Sequence, residues 1–65
     1  MKNRVRELRL ERNWTQKDLG DRLGMSRQAI IAIENERFDP SLRLAIRMSR
    51  LFKKRVEEIF VADDR

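Results

Sequence analysis

Three side chains within five consecutive residues have the chemistry needed to read the edges of nucleic-acid bases. They are Arg27, Gln28 and Ile31, and they follow Ser26, a residue type that often caps the N-terminus of a helix. Arginine can bind guanine O6 and N7 bidentately, and glutamine can bind adenine N6 and N7. Arginine and glutamine also occur on ordinary protein surfaces. Whether Ile31 points outward with them therefore decides between a base-reading helix and an ordinary exposed face.

Helical periodicity places these side chains on one outward arc. At about 100° per residue, Ile30 and Ile33 define the direction that faces the core. An isoleucine on the opposite side has no obvious structural use, whereas in a major groove it can touch a thymine methyl group. This arrangement favours a base-reading helix over a plain solvent-exposed face. The predicted base contacts are Arg27, Gln28, Ile31 and Ala32.

Two short capped helices around a glycine-containing turn would hold this arc in place. Thr15 suits a capping-box start for the first helix, and Ser26 suits the N-cap of the second. Gly24 suits a left-handed helix exit between them. Gly20 costs about 1 kcal/mol relative to alanine inside a helix, but its missing side chain lets a second helix cross closely. Such a pair is a helix-turn-helix, predicted over residues 16–34.

Residues inside and beyond this motif resemble a known family. The motif, with Gln16, Gly20, Gly24 and Glu34-Asn35 among apolar positions, resembles that of the Cro and phage-repressor (XRE-like) family. The segments Pro40-Ser41-Leu42 and Glu57-Glu58-Ile59-Phe60 resemble the small stand-alone regulators of that family. The resemblance covers residues 3 to 60 and implies a lambda-repressor-like DNA-binding domain.

The resemblance also implies roles for individual positions. A structural ion pair between helices 1 and 3 is implied for Arg9 and Glu34. Arg37 is a further phosphate partner on the basis of its charge alone. The positions implied to contact the DNA backbone are Gln16, Ser26 and Asn35.

The remainder of the chain predicts three more helices, which makes the fold class all-α with five helices. The expected bounds are Lys2–Arg12 for helix 1, a Ser41 cap to about Phe52 for helix 4, and Val56 to about Ile59 for helix 5. A short extended tail could follow. The family commonly has glycine and then a hydroxyl cap before its last helix, where this chain has Lys53-Lys54-Arg55. The predicted core is Val5, Leu8, Trp14, Leu19, Leu23, Ile30, Ile33, Leu42, Ala45, Phe52 and Ile59.

The C-terminal segment, at about residues 52–62, is predicted to mediate homodimerisation. Its apolar residues, together with those of helix 4, exceed what one small core requires. A two-fold dimer would present two recognition helices about 10 bp apart on a palindromic operator in double-stranded DNA. The predicted dimer interface is Leu44, Leu51, Val56, Phe60 and Val61.

Net charge is consistent with a polyanionic partner. Sixteen basic and eleven acidic residues give +5, and the charge is uneven, with +8 over residues 1–55 and −3 over residues 56–65. A highly charged composition is also typical of a very soluble or heat-adapted small protein. The length of 65 residues leaves room for a single domain, residues 1–65.

Residue types that the sequence lacks exclude several functions. Without cysteine or histidine there is no disulfide, no thiolate metal site and no imidazole base. Ser26 and Ser41 are explained as helix caps, so we expect neither an enzyme nor a cofactor, metal or small-molecule ligand. The longest apolar run is far short of the roughly 20 residues that a membrane span needs, and no signal peptide is evident. A cytoplasmic protein is therefore expected.

Two functions remain. The first is a homodimeric, sequence-specific DNA-binding transcriptional regulator acting as a repressor. The alternative is an antitoxin-like protein-interaction module that binds a cognate toxin or another protein. Antitoxins can share this fold and bind DNA, so the fold alone does not separate the two functions.

Overall fold

Residues 1–61 are described by a computed structural model. Five helices pack around one core, and a two-stranded antiparallel ribbon pairs residues near the two ends of this range. The predicted all-α class is confirmed, and the ribbon is an addition to it. The helices are α1 (Val5–Glu11), α2 (Gln16–Leu23), α3 (Arg27–Glu34), α4 (Leu42–Phe52) and α5 (Val56–Ile59). The strands are β1 (Lys2–Asn3) and β2 (Phe60–Val61), with Lys2 opposite Val61 and Asn3 opposite Phe60.

Hydroxyl side chains cap the N-termini of α2, α3 and α4, as predicted. Thr15 accepts a hydrogen bond from the backbone N–H of Asp18, and the Asp18 carboxylate accepts one from the backbone N–H of Thr15. The second bond lowers the pKa of the Asp18 carboxyl below its ordinary value of 3.8. Ser26 and Ser41 accept corresponding bonds at the starts of α3 and α4. Each cap satisfies a backbone donor that the helix itself leaves unpaired.

The predicted left-handed exit is present after α2, and a second one follows α1. Asn13, just beyond α1, has φ 58°, and Gly24, after α2, has φ 69°. α4 ends in the same way, but on Lys53 with φ 57°, where the family commonly has glycine. Arg55 then takes the place of the hydroxyl cap of α5, and its backbone N–H is bound by the Glu58 carboxylate. The boundary between α4 and α5 is therefore sharp without either expected residue.

Helix 1 is shorter than predicted. It begins at Val5, because Lys2 and Asn3 form β1 and the backbone N–H of Arg4 donates to Ile59 O at 2.8 Å. The Asn3 side chain accepts a hydrogen bond from the backbone N–H of Val5 and donates to Ile33 O. Local helical periodicity could not reveal this strand, since its hydrogen-bonding partner lies at the far end of the chain.

α4 buries a different face from the one predicted. Leu44 and Met48 are buried with Ala45 and Phe52, whereas Leu42 is 72% exposed and Ile46 is 39% exposed. At about 100° per residue, Leu42 lies about 105° from the centre of the buried arc, which explains its exposure. The placement of Leu42 in the core was wrong. The buried apolar residues are Val5, Leu8, Leu19, Leu23, Ile30, Ile33, Leu44, Ala45, Met48, Phe52, Ile59 and Phe60.

This burial changes the predicted dimer interface. Leu44 and Phe60 are core residues of a single chain, and Leu51 and Val56 pack against the same core, so they are not surplus apolar surface. Among the five predicted interface residues only Val61 is exposed, at 49%. A 65-residue chain has few apolar residues, and its own core uses most of them. Residue 62, at the end of the predicted dimerisation segment, lies outside the described residues.

Trp14, predicted as a core residue, covers the core rather than occupying its centre. It is half-buried and packs against Phe52, with the ring centroids 6.1 Å apart. The Arg22 guanidinium lies 4.2 Å from the centre of the indole. A cation at this distance is attracted by the ring quadrupole. The indole is therefore occupied by a structural contact.

Candidate nucleic-acid interface

The outward side of α3 carries the predicted base-reading residues. Arg27 and Gln28, in its first turn, are exposed, while Ile31 and Ala32 are half-buried. On the opposite side Ile30 and Ile33 are fully buried. α3 is therefore amphipathic about the predicted axis. Ile31 offers only part of its surface to a partner, since its surroundings cover the remainder.

The turn between α2 and α3 is held by a backbone contact at Gly20. The backbone N–H of Met25 donates to Gly20 O at 2.8 Å. A Cβ atom on Gly20 would lie 2.5 Å from Met25 O, closer than real side chains approach. Gly20 therefore does allow a close approach, but the approaching group is the turn itself and not the second helix. This contact fixes the angle at which α3 leaves α2.

A buried ion pair fixes α3 relative to α1. Arg9 donates to Glu34 through Nε at 2.7 Å and through Nη2 at 3.2 Å. The two side chains are only 9% and 3% exposed. Arg9 Nη1 also donates to Trp14 O, so the guanidinium is well satisfied. A bidentate pair with this burial is better at specifying geometry than at adding net stability.

Gln16, implied to contact a phosphate, belongs to the same network. Its Nε2 donates to Glu34 Oε1 at 3.2 Å, and the residue is half-buried. A side-chain amide nitrogen carries two hydrogens, so one remains for an external acceptor. Gln16 is thus held at the start of α2, with its amide anchored to the last residue of α3.

The C-terminal end of α3 is closed by a motif that contains no glycine. The backbone N–H of Arg37 donates to Ala32 O and that of Glu36 donates to Ile33 O, with Glu36 at φ 62°. These are the two hydrogen bonds of a Schellman motif. Sequence reasoning missed it, because glutamate is an unusual residue for a left-handed position. The motif fixes the backbone at Arg37, whose side chain is exposed.

The remaining backbone-contact candidates lie at the two ends of α3. Ser26 caps its N-terminus, and its hydroxyl accepts from the backbone N–H of Ala29 at 3.1 Å. That hydroxyl still has a hydrogen to donate. Asn35 is exposed at the C-cap. Together with Arg37, these residues bracket the outward arc of α3.

Most basic side chains of residues 1–61, including two arginines of this surface, have no ion-pair partner among those residues. Within residues 1–61, Arg27 and Arg37 form no ion pair, whereas Arg4 and Lys17 pair with carboxylates three and four positions along the chain. The two arginines are therefore available to an external anion. The described residues also contain no metal-binding group of acidic side chains, and none of their helices is long and apolar enough to span a membrane.

Comparisons with known proteins agree with this geometry. A helix-turn-helix family model matches residues 5–59. An uncharacterized HTH-type transcriptional regulator of Methanocaldococcus jannaschii is 47% identical over 64 residues, covering 98% of this chain and 97% of the relative. A second, from Methanothermobacter thermautotrophicus, is 45% identical over 65 residues, covering 98% and 94%. A third, from Bacillus subtilis, is 40% identical over 60 residues, covering 92% and 91%.

Proposed function

Since the chain belongs to the helix-turn-helix family of DNA-binding transcriptional regulators, of the Cro and phage-repressor type, we propose that it binds a specific double-stranded sequence as a homodimer. In this proposal α3 lies in the major groove of each half of a palindromic operator. Repression is the simplest outcome, because occupancy of a promoter requires no contact beyond the DNA.

The observation that carries the proposal is the outward arc of α3. Arg27 and Gln28 are exposed in its first turn, and base contacts from such a helix come mainly from its N-terminal residues. Their hydrogen-bonding groups match guanine and adenine edges. Ile31 and Ala32, half-buried further along, can add apolar contact with thymine methyl groups. The helix is held rigidly by Gly20 and Glu34, which suits a site that must keep its register.

Phosphate contacts are proposed for the residues around this arc. Gln16 has an amide hydrogen left after its bond to Glu34, and the Ser26 hydroxyl has one left after capping α3. Asn35 and Arg37 lie at the opposite end of α3, with Arg37 unpaired among residues 1–61. Such contacts set position and carry no sequence information directly.

Dimerisation is proposed through exposed apolar residues of the C-terminal third. Leu42 is 72% exposed, and Ile46, one turn later on α4, is 39% exposed. Val61, at 49%, is the exposed residue of the originally predicted set. A two-fold arrangement would set the two copies of α3 about 10 bp apart. This revised surface leaves the core of each protomer intact.

Selection of bound sequences from random duplex DNA tests the readout. We expect a palindromic consensus for the natural sequence. Arg27→Ala should lose about 1–3 kcal/mol of binding free energy and relax the sequence preference at one base pair of each half-site. Arg37→Ala should instead weaken binding to all sequences and flatten the salt dependence. If Arg27→Ala selects the same consensus with the same stringency, the assignment of the reading face is wrong.

A separate substitution tests the apolar contact. Ile31→Ala should weaken binding only where a thymine lies opposite, and replacing that thymine by uracil should have the same effect on the natural protein. The two changes together should then cost no more than either alone, because they remove the same contact.

Sedimentation at micromolar concentration tests the dimer. We expect a two-protomer species that Leu42→Lys combined with Ile46→Lys converts to monomer, with Leu10→Lys as a control on an exposed leucine of α1. A monomer that binds DNA one to one would refute the dimer while leaving the reading face untouched.

A further inference from the structure

A surface groove beside the helix-turn-helix has no part in the function described so far. It has a volume of about 320 Å³ and lies between the α2–α3 turn and α4. Met25 lines it on the turn side, Phe38 lines it from the α3–α4 loop, and Arg43 and Arg47 line it from α4. Phe38 is 47% exposed, so an aromatic edge is open to solvent at this place.

The two arginines of the groove carry charges that the described residues do not neutralise. Arg43 and Arg47 lie four positions apart on α4, which places their side chains side by side. Neither forms an ion pair with a carboxylate of residues 1–61. Neighbouring like charges oppose each other at this spacing, and an anion between them would relieve that repulsion.

Composition extends the same observation along the chain. Residues 40–56 contain six basic side chains and no acidic one. Among these six side chains Arg55 pairs with Glu58 at 3.8 Å, and the other five form no ion pair with a carboxylate of residues 1–61. A basic segment without interspersed acids is typical of a surface that binds nucleic acid.

The position of the groove identifies the anion. Arg47 Nη2 lies 4.0 Å from where a Cβ on Gly24 would be, so its guanidinium rests against the turn that leads into α3. Met25 is the chain neighbour of Ser26, and Phe38 is the chain neighbour of Arg37. Both walls of the groove are therefore continuous with segments proposed to contact phosphates.

We propose that Arg43 and Arg47 bind the phosphate backbone of the same DNA duplex that α3 reads. The groove seats a backbone phosphate between the two guanidinium groups, and its apolar floor of Leu23 and Leu44 supports their aliphatic stems. This inference rests on the proposed DNA-binding function. It adds an affinity contact that is independent of base sequence, since phosphates carry no sequence information.

Salt dependence of binding is the test, with Arg50 as a matched control. Arg50 is exposed on α4 three residues after Arg47, but it does not line the groove. Anisotropy titrations of a selected operator and of an unrelated duplex, from about 50 to 200 mM salt, give the slope for each variant. Arg43→Gln and Arg47→Gln should each reduce the slope of log binding constant against log salt concentration by about 0.9 per protomer on both duplexes. Over that salt range, the loss of affinity per protomer should then be roughly threefold smaller than for the natural protein. Arg50→Gln should leave the slope within error, and Arg47→Lys should restore most of it.

A duplex with single methylphosphonate substitutions locates the contact. One uncharged phosphate per half-site should weaken DNA binding by the natural protein but not by Arg47→Gln. That non-additivity would show that Arg47 contacts that phosphate. Slopes that change equally in Arg47→Gln and Arg50→Gln would overturn the proposal, because the effect would then be one of net charge. Unchanged slopes in Arg43→Gln and Arg47→Gln would overturn it as well. If the protein does not discriminate operator from unrelated DNA, base reading is refuted but the groove proposal is not. The salt dependence on the unrelated duplex still tests the phosphate contact of the groove.

Discussion

The helix-turn-helix unit, residues 15–35, and the region that follows it, residues 36–61, differ in the residue types that begin and end their helices. In the first, a hydroxyl caps each helix and Gly24 supplies the left-handed exit at φ 69°. In the second, Ser41 also caps α4 with its hydroxyl, but the left-handed residue after α4 is Lys53, at φ 57°, where a side chain makes this conformation unfavourable. α5 begins at Val56 and has Arg55, not a hydroxyl residue, at its N-cap.

Distant contacts compensate for the missing glycine and hydroxyl cap in residues 36–61. Phe60 pairs with Asn3 across the ribbon, and Arg12 donates from α1 to Phe52 O at 2.7 Å. The helix starts and the turn of the unit that carries the proposed reading face are thus set by its own residues, whereas the other region depends more on what it packs against. Local substitutions should disturb the first region, and loss of long-range packing should disturb the second.

The largest effect is expected at the ion pair that joins the first region to α1. Arg9→Met leaves Glu34 buried with one weak donor, Gln16, and should lower the free energy of unfolding by about 3–5 kcal/mol. Arg9→Met combined with Glu34→Met should be much less damaging, because no charge is stranded. Urea unfolding of the four proteins gives the coupling energy. An additive cycle would show that the pair does not connect the two elements.

The next effect separates the two faces of α4. Leu44→Ala should cost about 2–5 kcal/mol, since Leu44 is only 9% exposed and belongs to the core. Leu42→Ala, at a 72% exposed position two residues away, should change stability by less than about 0.5 kcal/mol in the monomer. Thermal unfolding at low protein concentration makes the comparison. Equal losses at both positions would mean that α4 packs on the face first predicted.

Substitutions at the two left-handed positions, Gly24 and Lys53, sharpen the comparison. Gly24→Ala should cost about 1–2 kcal/mol, because alanine disfavours positive φ. Lys53→Gly should raise stability by up to about 1 kcal/mol, reduced by the greater freedom of glycine in the unfolded chain. Chemical denaturation measures both. A destabilised Lys53→Gly would indicate that the lysine stem contributes packing at this turn.

The smallest expected effect is a loss of stability at low pH, and it occurs in both regions. Backbone N–H groups of Thr15 and Arg55 lower the pKa of Asp18 and of Glu58 below their ordinary values of 3.8 and 4.5. Each depressed pKa contributes stability that is present above the ordinary value and is lost as pH falls through the folded-state value. Melting temperatures of Asp18→Asn and Glu58→Gln should therefore lie below that of the natural protein near neutral pH and converge with it in strong acid. A constant gap at every pH would assign the effect to packing.

Sequence reasoning could predict the parts of this molecule that depend on near neighbours. Caps at Thr15, Ser26 and Ser41, the exit at Gly24, and the outward arc of α3 all follow from patterns within one or two helical turns. The same kind of reasoning identified the side chains proposed to read bases, since their chemistry and angle are both local properties.

The features it could not predict depend on partners far along the chain. The strand at Lys2–Asn3 exists because β2 lies beside it. Leu42 and Leu44 are chemically identical, and the packing of the whole domain decides which of them is buried. Arg43 and Arg47 were likewise unremarkable as residues, and only the fold sets Arg47 beside Gly24 and both arginines along one groove. Identical side chains can therefore have opposite roles when the deciding contact is not local.

The pairing of Lys2 with Val61 also has a consequence for the order of events in folding. It joins positions at nearly opposite ends of the described chain, so its formation requires closure of a very long loop. Short-range helical contacts form before contacts that demand such closure. The helix-turn-helix unit should therefore be structured early on the folding path, and the ribbon should form last. In the native ensemble we expect the same ribbon to be the first element to open, and hydrogen exchange at Arg4 N–H should report that opening while α3 remains protected.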